Sequence, residues 1–279
     1  MEKETFPDGF FFREKDHTYA LNGSEMTGVT SVLDSVGSPG GLMQYAANFA
    51  ASKALETPLP EGFVEARDAL IKEYGKLSSD VARALDKNFP EWKEARTAHA
   101  KNTKKRGTEG TDSHLLAEKW ENREEVPSTP ELEQYIKWYK QNVAWTYFTE
   151  RPLFSREWFI GGTPDGGFRT KDGKNLIDDK KFKDSIFDNK PHWQMAVYRK
   201  MIEEMRADTT TPIRIEWENG TIEEYKNPQE YLNTFSFVQW DGSVVLAINK
   251  EKCEPLYRFA YEEDLDSFES ALKIYRRIK

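Results

Sequence analysis

Tight-turn signals constrain the fold of this chain more than any other feature, because each of them stands between two extended segments. Four such turns are Asn22-Gly23, Asp172-Gly173, Asn219-Gly220 and Asp241-Gly242. Asparagine, aspartate and glycine tolerate a positive φ, which two-residue hairpin turns require. The sequence therefore predicts four β-hairpins, one near the N-terminus and three in the second half of the chain. The whole segment 10–33 is expected to consist of short strands and turns.

Helical spacing of apolar residues dominates the first half of the chain. Thr129-Pro130-Glu131 marks one helix start, because threonine caps, proline is tolerated at the first helical position and glutamate favours the N-terminal dipole. We expect one mixed α/β domain over residues 1–279, mainly helical over 1–145 and β-rich over 146–279. Helices are expected at 43–56, 62–77, 79–89, 111–122, 130–143 and 191–205, and at the C-terminus.

Composition excludes several classes of protein. The chain carries 48 Asp and Glu against 40 Lys and Arg, and this net charge of −8 argues against a protein that coats nucleic acid nonspecifically. No apolar run approaches the roughly 18 residues of a membrane span, and the N-terminus lacks the features of a secretory signal. The one cysteine, Cys253, excludes an internal disulfide and an iron–sulfur cluster. Without a P-loop signature we expect no bound nucleotide, and the single thiol suggests a reducing cytoplasm.

Residues 161–181 contain the side chains with the clearest chemistry, around the second predicted hairpin. Alternate residues of a strand share a face, so Asp178 and Lys180 point the same way, and the hairpin brings Asp165 beside them. Converging carboxylates hold a divalent cation such as Mg²⁺, and a neighbouring lysine can assist a water molecule and stabilise charge on a phosphoryl oxygen. This set suits metal-assisted phosphodiester hydrolysis, although exposed acidic hairpins carry the same short pattern.

The order of the motifs around this hairpin resembles the PD-(D/E)XK nuclease superfamily, and within it the RecB-like and phage-type exonuclease branch. Four loose motifs in one order are more specific than any one of them. The resemblance implies an α/β, restriction-endonuclease-like core, with a central mixed sheet flanked by helices. Its motifs are Pro164-Asp165, Asp178-Asp179-Lys180, Gly107-Thr108 with His114 and Glu118, Gln194 with Tyr198, and an N-terminal His17-x-Tyr19 followed by residues 28–33.

The resemblance also implies an activity and a role for each motif residue. The implied activity is Mg²⁺-dependent exonucleolytic hydrolysis of linear DNA, with Mn²⁺ as a substitute, in recombination, repair or phage genome processing. The implied partners are DNA and a single-strand annealing or recombination protein. In this scheme Asp165 and Asp178 bind the metal with His114 and the Asp179 carbonyl, Lys180 assists the attacking water, Glu150 supplies an additional acid, and Gln194 and Tyr198 contact the DNA.

Residues 178–181 leave the strand register open, because they contain two overlapping acid-x-lysine pairs. Strand side chains alternate, so only one pair can face the metal. The apolar neighbours on both sides do not decide between the pairs. The family places its acid directly after an aliphatic residue, so the resemblance favours Asp178 with Lys180 over Asp179 with Lys181.

A basic segment precedes the motif that contains His114. Between Lys93 and Arg106 the chain has six basic residues and one acidic residue, a net of +5. Such a run is also typical of a solvated helix face. In a nuclease it would contact the DNA backbone, and the candidate residues are Lys101, Lys104, Lys105 and Arg106. Two alternatives stay open, namely a non-catalytic nucleic-acid-binding module of the same fold and a structure-specific endonuclease.

Overall fold

The computed structural model describes residues 5–36, 56, 58–76, 79–94, 112–186, 188–235, 238–259 and 261–279. These residues form a mixed α/β fold whose three sheets each combine parallel and antiparallel strand pairs. The chain divides into two compact units, one of Met1–Gly37 with Asp112–Lys279 and one of Ser38–Thr111. No helix in the described part of the chain is long and apolar enough to cross a membrane.

Thirteen strands are present among the described residues. They are β1 (Phe10–Arg13), β2 (Thr18–Leu21), β3 (Ser24–Glu25), β4 (Thr27–Gly28), β5 (Val143–Thr149), β6 (Leu153–Ser155), β7 (Ile160–Gly162), β8 (Gly166–Thr170), β9 (Asn175–Phe182), β10 (Ile213–Glu216), β11 (Ile222–Tyr225), β12 (Gly242–Ile248) and β13 (Cys253–Arg258). One five-stranded sheet has the order β13-β12-β9-β8-β5, a second has the order β11-β10-β1-β2-β3, and a three-stranded sheet has the order β4-β7-β6.

The described helices flank these sheets or form the second unit. They are α1 (Val29–Ser35), α2 (Phe63–Tyr74), α3 (Ser79–Asn88), α4 (90–94), α5 (112–121), α6 (Pro130–Asn142), α7 (Lys190–Ala207), α8 (Pro228–Leu232) and α9 (Tyr261–Ile278). The predicted start of α6 is confirmed, because the Thr129 hydroxyl accepts a hydrogen bond from the Leu132 N–H at 3.2 Å. Of the helix predicted at 43–56, all but the last residue lies outside the described residues. Within the second unit, α2 and α3 pack through Phe63, Val81 and Leu85.

Three of the four predicted hairpins are confirmed. Strands β2 and β3, β8 and β9, and β10 and β11 are antiparallel pairs on either side of their predicted turns. In the β8–β9 hairpin, Gly173 has a φ of +92°, which glycine adopts without strain. Gly166 pairs with Asp178 in this hairpin, so the register of β9 against β8 is fixed.

The hairpin predicted at Asp241-Gly242 is wrong. Gly242 begins β12, which pairs in parallel with β9 and in antiparallel fashion with the unpredicted strand β13. Asp241 instead accepts a hydrogen bond from the Asn175 N–H at 2.8 Å, which ties the start of β12 to the start of β9. A parallel pairing joins residues that are far apart in sequence, so a local turn signal does not reveal it.

The expectation of extended structure over residues 29–33 is also wrong. These residues belong to α1, and Val29, Val32 and Leu33 are buried at the i, i+3, i+4 spacing of a helix face. The β-branched Val29 and Val32 favour strands, but the helical arrangement buries both together with Leu33.

The sheet that contains β9 is covered on both faces. On one face α7 and α9 pack in a core that includes Ile177. On the other face α5 and α6 pack in a core that includes Leu176, Val244 and Leu246. Odd-numbered residues of β9 therefore face the α7 side, and even-numbered residues face the α5 and α6 side.

Candidate active site

A cavity of about 670 Å³ lies on the α7 side of β9, next to the start of β8. Three carboxylates and one lysine that sequence analysis considered line it, namely Glu150, Asp165, Asp179 and Lys181. The N-terminal motif and the α7 motif reach the same cavity, because His17, Tyr19, Gln194 and Tyr198 also line it. Motifs that are far apart in sequence thus converge on one site.

The β8–β9 hairpin brings the acids together. Because Gly166 is opposite Asp178, the preceding Asp165 lies next to Asp179 across the hairpin. Glu150 follows β5 with a φ of +48°, and its N–H donates to the Asp165 carbonyl at 3.3 Å. A left-handed backbone at a non-glycine residue costs free energy, and such residues cluster at functional sites.

Close backbone packing shapes the wall of the cavity beside α7. A Cβ on Gly162 would lie 2.5 Å from Tyr198 Cε1 and 3.0 Å from Val29 Cγ2, so only glycine fits there. Tyr198 is thereby buried against β7, and its hydroxyl accepts a hydrogen bond from Gln194 Nε2 at 2.7 Å. This contact leaves Gln194 oriented along the cavity wall.

The acids of the cavity have unequal proton affinities. Burial raises the pKa of Asp179 to about 6, and its ion pair with Lys181, at 2.7 Å between Oδ1 and Nζ, opposes that rise. Burial, followed by the charge of Asp165, raises the pKa of Glu150 well above its usual value. Burial works against ionisation of Asp165 as well, but the charges of His114 and Lys181 outweigh it and lower its pKa. Asp165 is therefore the most readily ionised of the three acids.

His114 reaches Asp165 from α5. Its Nδ1 lies 3.4 Å from Asp165 Oδ2, and its ring packs edge-on against Phe182. Burial lowers the pKa of His114, although the charge of Asp165 opposes this. A neutral imidazole is the form that ligates metal ions.

The predicted orientation of Asp178 and Lys180 is corrected by the structure. Both side chains lie on the α5 and α6 face of the sheet, and neither lines the cavity. Lys180 Nζ is 3.0 Å from Asp178 Oδ2 and 3.0 Å from Glu121 Oε1. The structure thus places the other acid-x-lysine pair, Asp179 and Lys181, beside Asp165.

Lys180 nevertheless touches the site through its backbone. Its N–H donates to Asp165 Oδ2 at 2.6 Å. Sequence reasoning missed Glu121, which contacts the Lys180 side chain from α5. A signal for it existed, because Glu121 is seven residues after His114 and so lies on the same helix face.

The donor set of the cavity suits a hard divalent cation. Asp179 Oδ2 is buried without a hydrogen-bond partner among the described residues, so one carboxylate oxygen is free to act as a ligand. No group of three or more His, Cys, Asp or Glu side chains in the described ranges is assembled to hold a metal ion. Mg²⁺ does not need such a group, because it keeps several waters and binds through one or two carboxylates plus substrate phosphates. The residues therefore fit Mg²⁺ held by Asp165 and Asp179.

The predicted DNA-contact segment lies outside the described residues. This applies to Lys101, Lys104, Lys105 and Arg106, and also to the Gly107-Thr108 part of the His114 motif. Their proposed roles stay predictions from the sequence.

Comparison with known proteins assigns no family to the chain, so the geometry of the site is the basis for its proposed function. No protein-family model matches the chain, and no curated protein matches it.

Proposed function

We propose that this protein is a metal-dependent deoxyribonuclease that hydrolyses phosphodiester bonds of linear DNA as an exonuclease. One observation carries the proposal: Asp165, Asp179, Glu150 and Lys181 line a single cavity together with Gln194. A module that only binds nucleic acid needs cationic groups to contact phosphates. Three carboxylates in the same cavity would repel those phosphates. A phosphodiesterase needs both kinds of group.

Each residue has a chemical role in this proposal. Asp165 and Asp179 would hold Mg²⁺, and the chemistry supplied by the bound ion would be neutralisation of charge on the phosphoryl oxygens and a lower pKa of a water molecule. Lys181, which Asp179 and Asp165 keep protonated, would orient the attacking water and stabilise the developing negative charge. In its neutral form His114 would support the metal beside Asp165, and Gln194 would position the DNA strand.

The fold and the motif order support membership of the PD-(D/E)XK superfamily as part of the proposal. A β8–β9 hairpin, extended by the parallel strand β12, lies between α5 and α6 on one face and α7 on the other. This is the kind of arrangement that a restriction-endonuclease-like core implies. We propose recombination or phage genome processing as the setting, with a single-strand annealing or recombination protein as partner.

The volume of the cavity favours a strand end as substrate. A space of about 670 Å³ accommodates a short stretch of one strand and does not enclose a turn of duplex DNA. We propose that this strand enters by its free end, as an exonuclease requires.

Nucleotide release from end-labelled linear duplex DNA tests the proposal. We expect release in Mg²⁺, none in excess EDTA, and recovery when Mg²⁺ or Mn²⁺ is restored. The Asp165→Asn variant should lose roughly a hundredfold or more of the rate, because it removes a charged ligand. Covalently closed circles should resist digestion. Full hydrolysis in EDTA, or DNA binding with no hydrolysis in any divalent cation, would overturn the proposal.

A further inference from the structure

A buried charged cluster lies directly behind the candidate active site, on the opposite face of β9. It consists of Glu121, Asp178 and Lys180, whose side chains are each 3% exposed. The Lys180 ammonium lies 3.0 Å from one carboxylate oxygen of each acid. None of these side chains reaches the cavity, so the proposed chemistry does not use them directly.

Hydrogen bonds hold Glu121 in this cluster. The Tyr135 hydroxyl of α6 donates to Glu121 Oε1, and the Thr149 hydroxyl of β5 donates to Glu121 Oε2 at 3.1 Å. The Tyr135 ring centroid lies 5.6 Å from Lys180 Nζ. The cluster therefore joins α5, α6, β5 and β9.

Stability alone does not explain such a cluster. Desolvating three charged groups is costly, and well-packed apolar residues of similar volume often stabilise a core as well or better. Buried ionic groups can instead fix one arrangement of the elements that carry them. This cluster could therefore fix the arrangement of the elements that it joins.

The backbone of Lys180 connects the cluster to the candidate active site. β8 begins at Gly166, opposite Asp178, so the Lys180 N–H lies beyond the paired part of the hairpin. That N–H donates to Asp165 Oδ2 at 2.6 Å, and His114 of α5 approaches the same oxygen at 3.4 Å. α5 thus contacts the cluster through Glu121 and contacts the active site through His114.

We infer that Glu121, Asp178 and Lys180 form a buried clamp that positions the active site. The clamp anchors the Lys180 side chain on one face of β9 so that its peptide N–H orients Asp165 on the other. It also holds α5 at the distance at which His114 meets Asp165. The three residues are positioning residues, and this inference rests on the proposed function only for its effect on turnover.

A variant with all three clamp residues made apolar tests the inference. Glu121→Leu, Asp178→Leu and Lys180→Met remove the charges. Tyr135→Phe and Thr149→Val are made in the same variant, because both hydroxyls donate to Glu121 and would otherwise lose their acceptor. We expect an unfolding midpoint within a few degrees of the wild type. We also expect at least tenfold faster exchange of the Lys180 amide hydrogen in metal-free protein, and at least a tenfold fall in kcat with KM unchanged within twofold. Wild-type amide exchange and wild-type kcat in this folded variant would overturn the inference.

Glu121→Gln is the second variant, in case the apolar set does not fold. It keeps the size of the side chain and an acceptor for Thr149, and it removes the charge that faces Lys180. Faster exchange of the Lys180 amide supports the clamp, and wild-type exchange overturns it. Amide exchange needs neither metal nor DNA, so it tests the clamp independently of activity. If the wild-type protein hydrolysed no DNA, that result would overturn only the proposed function.

Discussion

At the scale of single residues, Asp178 and Asp179 provide a matched pair, because they are neighbours in sequence that face opposite layers. Asp179→Asn should lower DNA hydrolysis by roughly a hundredfold or more, since it removes a charged group from the cavity. Lys181→Ala should do the same. Asp178→Asn should cost less than roughly tenfold, because the substitution keeps the size of a side chain that does not line the cavity. Single-turnover rates at saturating Mg²⁺ measure all three.

Thermal unfolding is the control for these variants. Each should retain a cooperative transition, so that a lost rate reflects the site and not the fold. An inactive Asp178→Asn beside an active Asp179→Asn would show that the even-numbered face of β9 carries the chemistry, against the geometry described above.

The residues of the site could largely be predicted from the sequence, but their orientation could not. Asp165, His114, Glu150 and Gln194 converge because their motifs lie on elements that the hairpin and helix signals locate. The choice between the two acid-x-lysine pairs depends on which face of β9 is covered by α5 and α6. That is a tertiary property, and apolar residues flank both pairs alike.

At the scale of elements, turn chemistry predicted most of the pairings that build the site. Asp172-Gly173 correctly locates the turn of the β8–β9 hairpin, but the loop has three residues, 171–173, so the dipeptide does not by itself set the register. β13 was missed, since it is recognisable only as the antiparallel partner of β12. The β9–β12 pairing is parallel and non-local, and no short-range signal encodes it.

Gly162 offers a test of how β7, α1 and α7 pack around the cavity. Gly162→Ala places a Cβ 2.5 Å from Tyr198 and 3.0 Å from Val29, so these side chains must shift. Such overpacking costs about 1–3 kcal/mol, and the unfolding midpoint should fall by several degrees.

Gly28→Ala is the matched control for this packing. Gly28 lines the same cavity, but its Cβ would meet its nearest atoms at 3.7 and 4.0 Å, which are ordinary contacts. Its effect on the unfolding midpoint should be smaller than that of Gly162→Ala. Equal effects of the two variants on the unfolding midpoint would mean that the packing of Tyr198 does not require glycine at position 162.

At the scale of the whole molecule, the distribution of charge decides how a polyanion can be bound. The chain has a net charge of −8, and the only lysines that line the cavity, among the described residues, are Lys181 and Lys279. Lys181 is already paired with Asp179. The cavity alone therefore offers DNA little electrostatic attraction, and affinity must come from cations elsewhere in the chain.

The segment Lys93–Arg106, with its net charge of +5, is the strongest source of such cations in the sequence. Replacing Lys104, Lys105 and Arg106 together by Ala should weaken binding to linear DNA. Each lost phosphate contact also removes about 0.9 unit from the slope of log K against log salt, so the slope should flatten by up to about 3 units. Fluorescence anisotropy with labelled duplex in Ca²⁺, at several salt concentrations, measures both effects.

A control variant removes the same amount of positive charge elsewhere on the surface, by replacing the exposed residues Lys226, Lys250 and Lys273 together by Ala. If both triple variants shift the slope equally, the attraction comes from overall charge, and the basic segment is not a DNA contact.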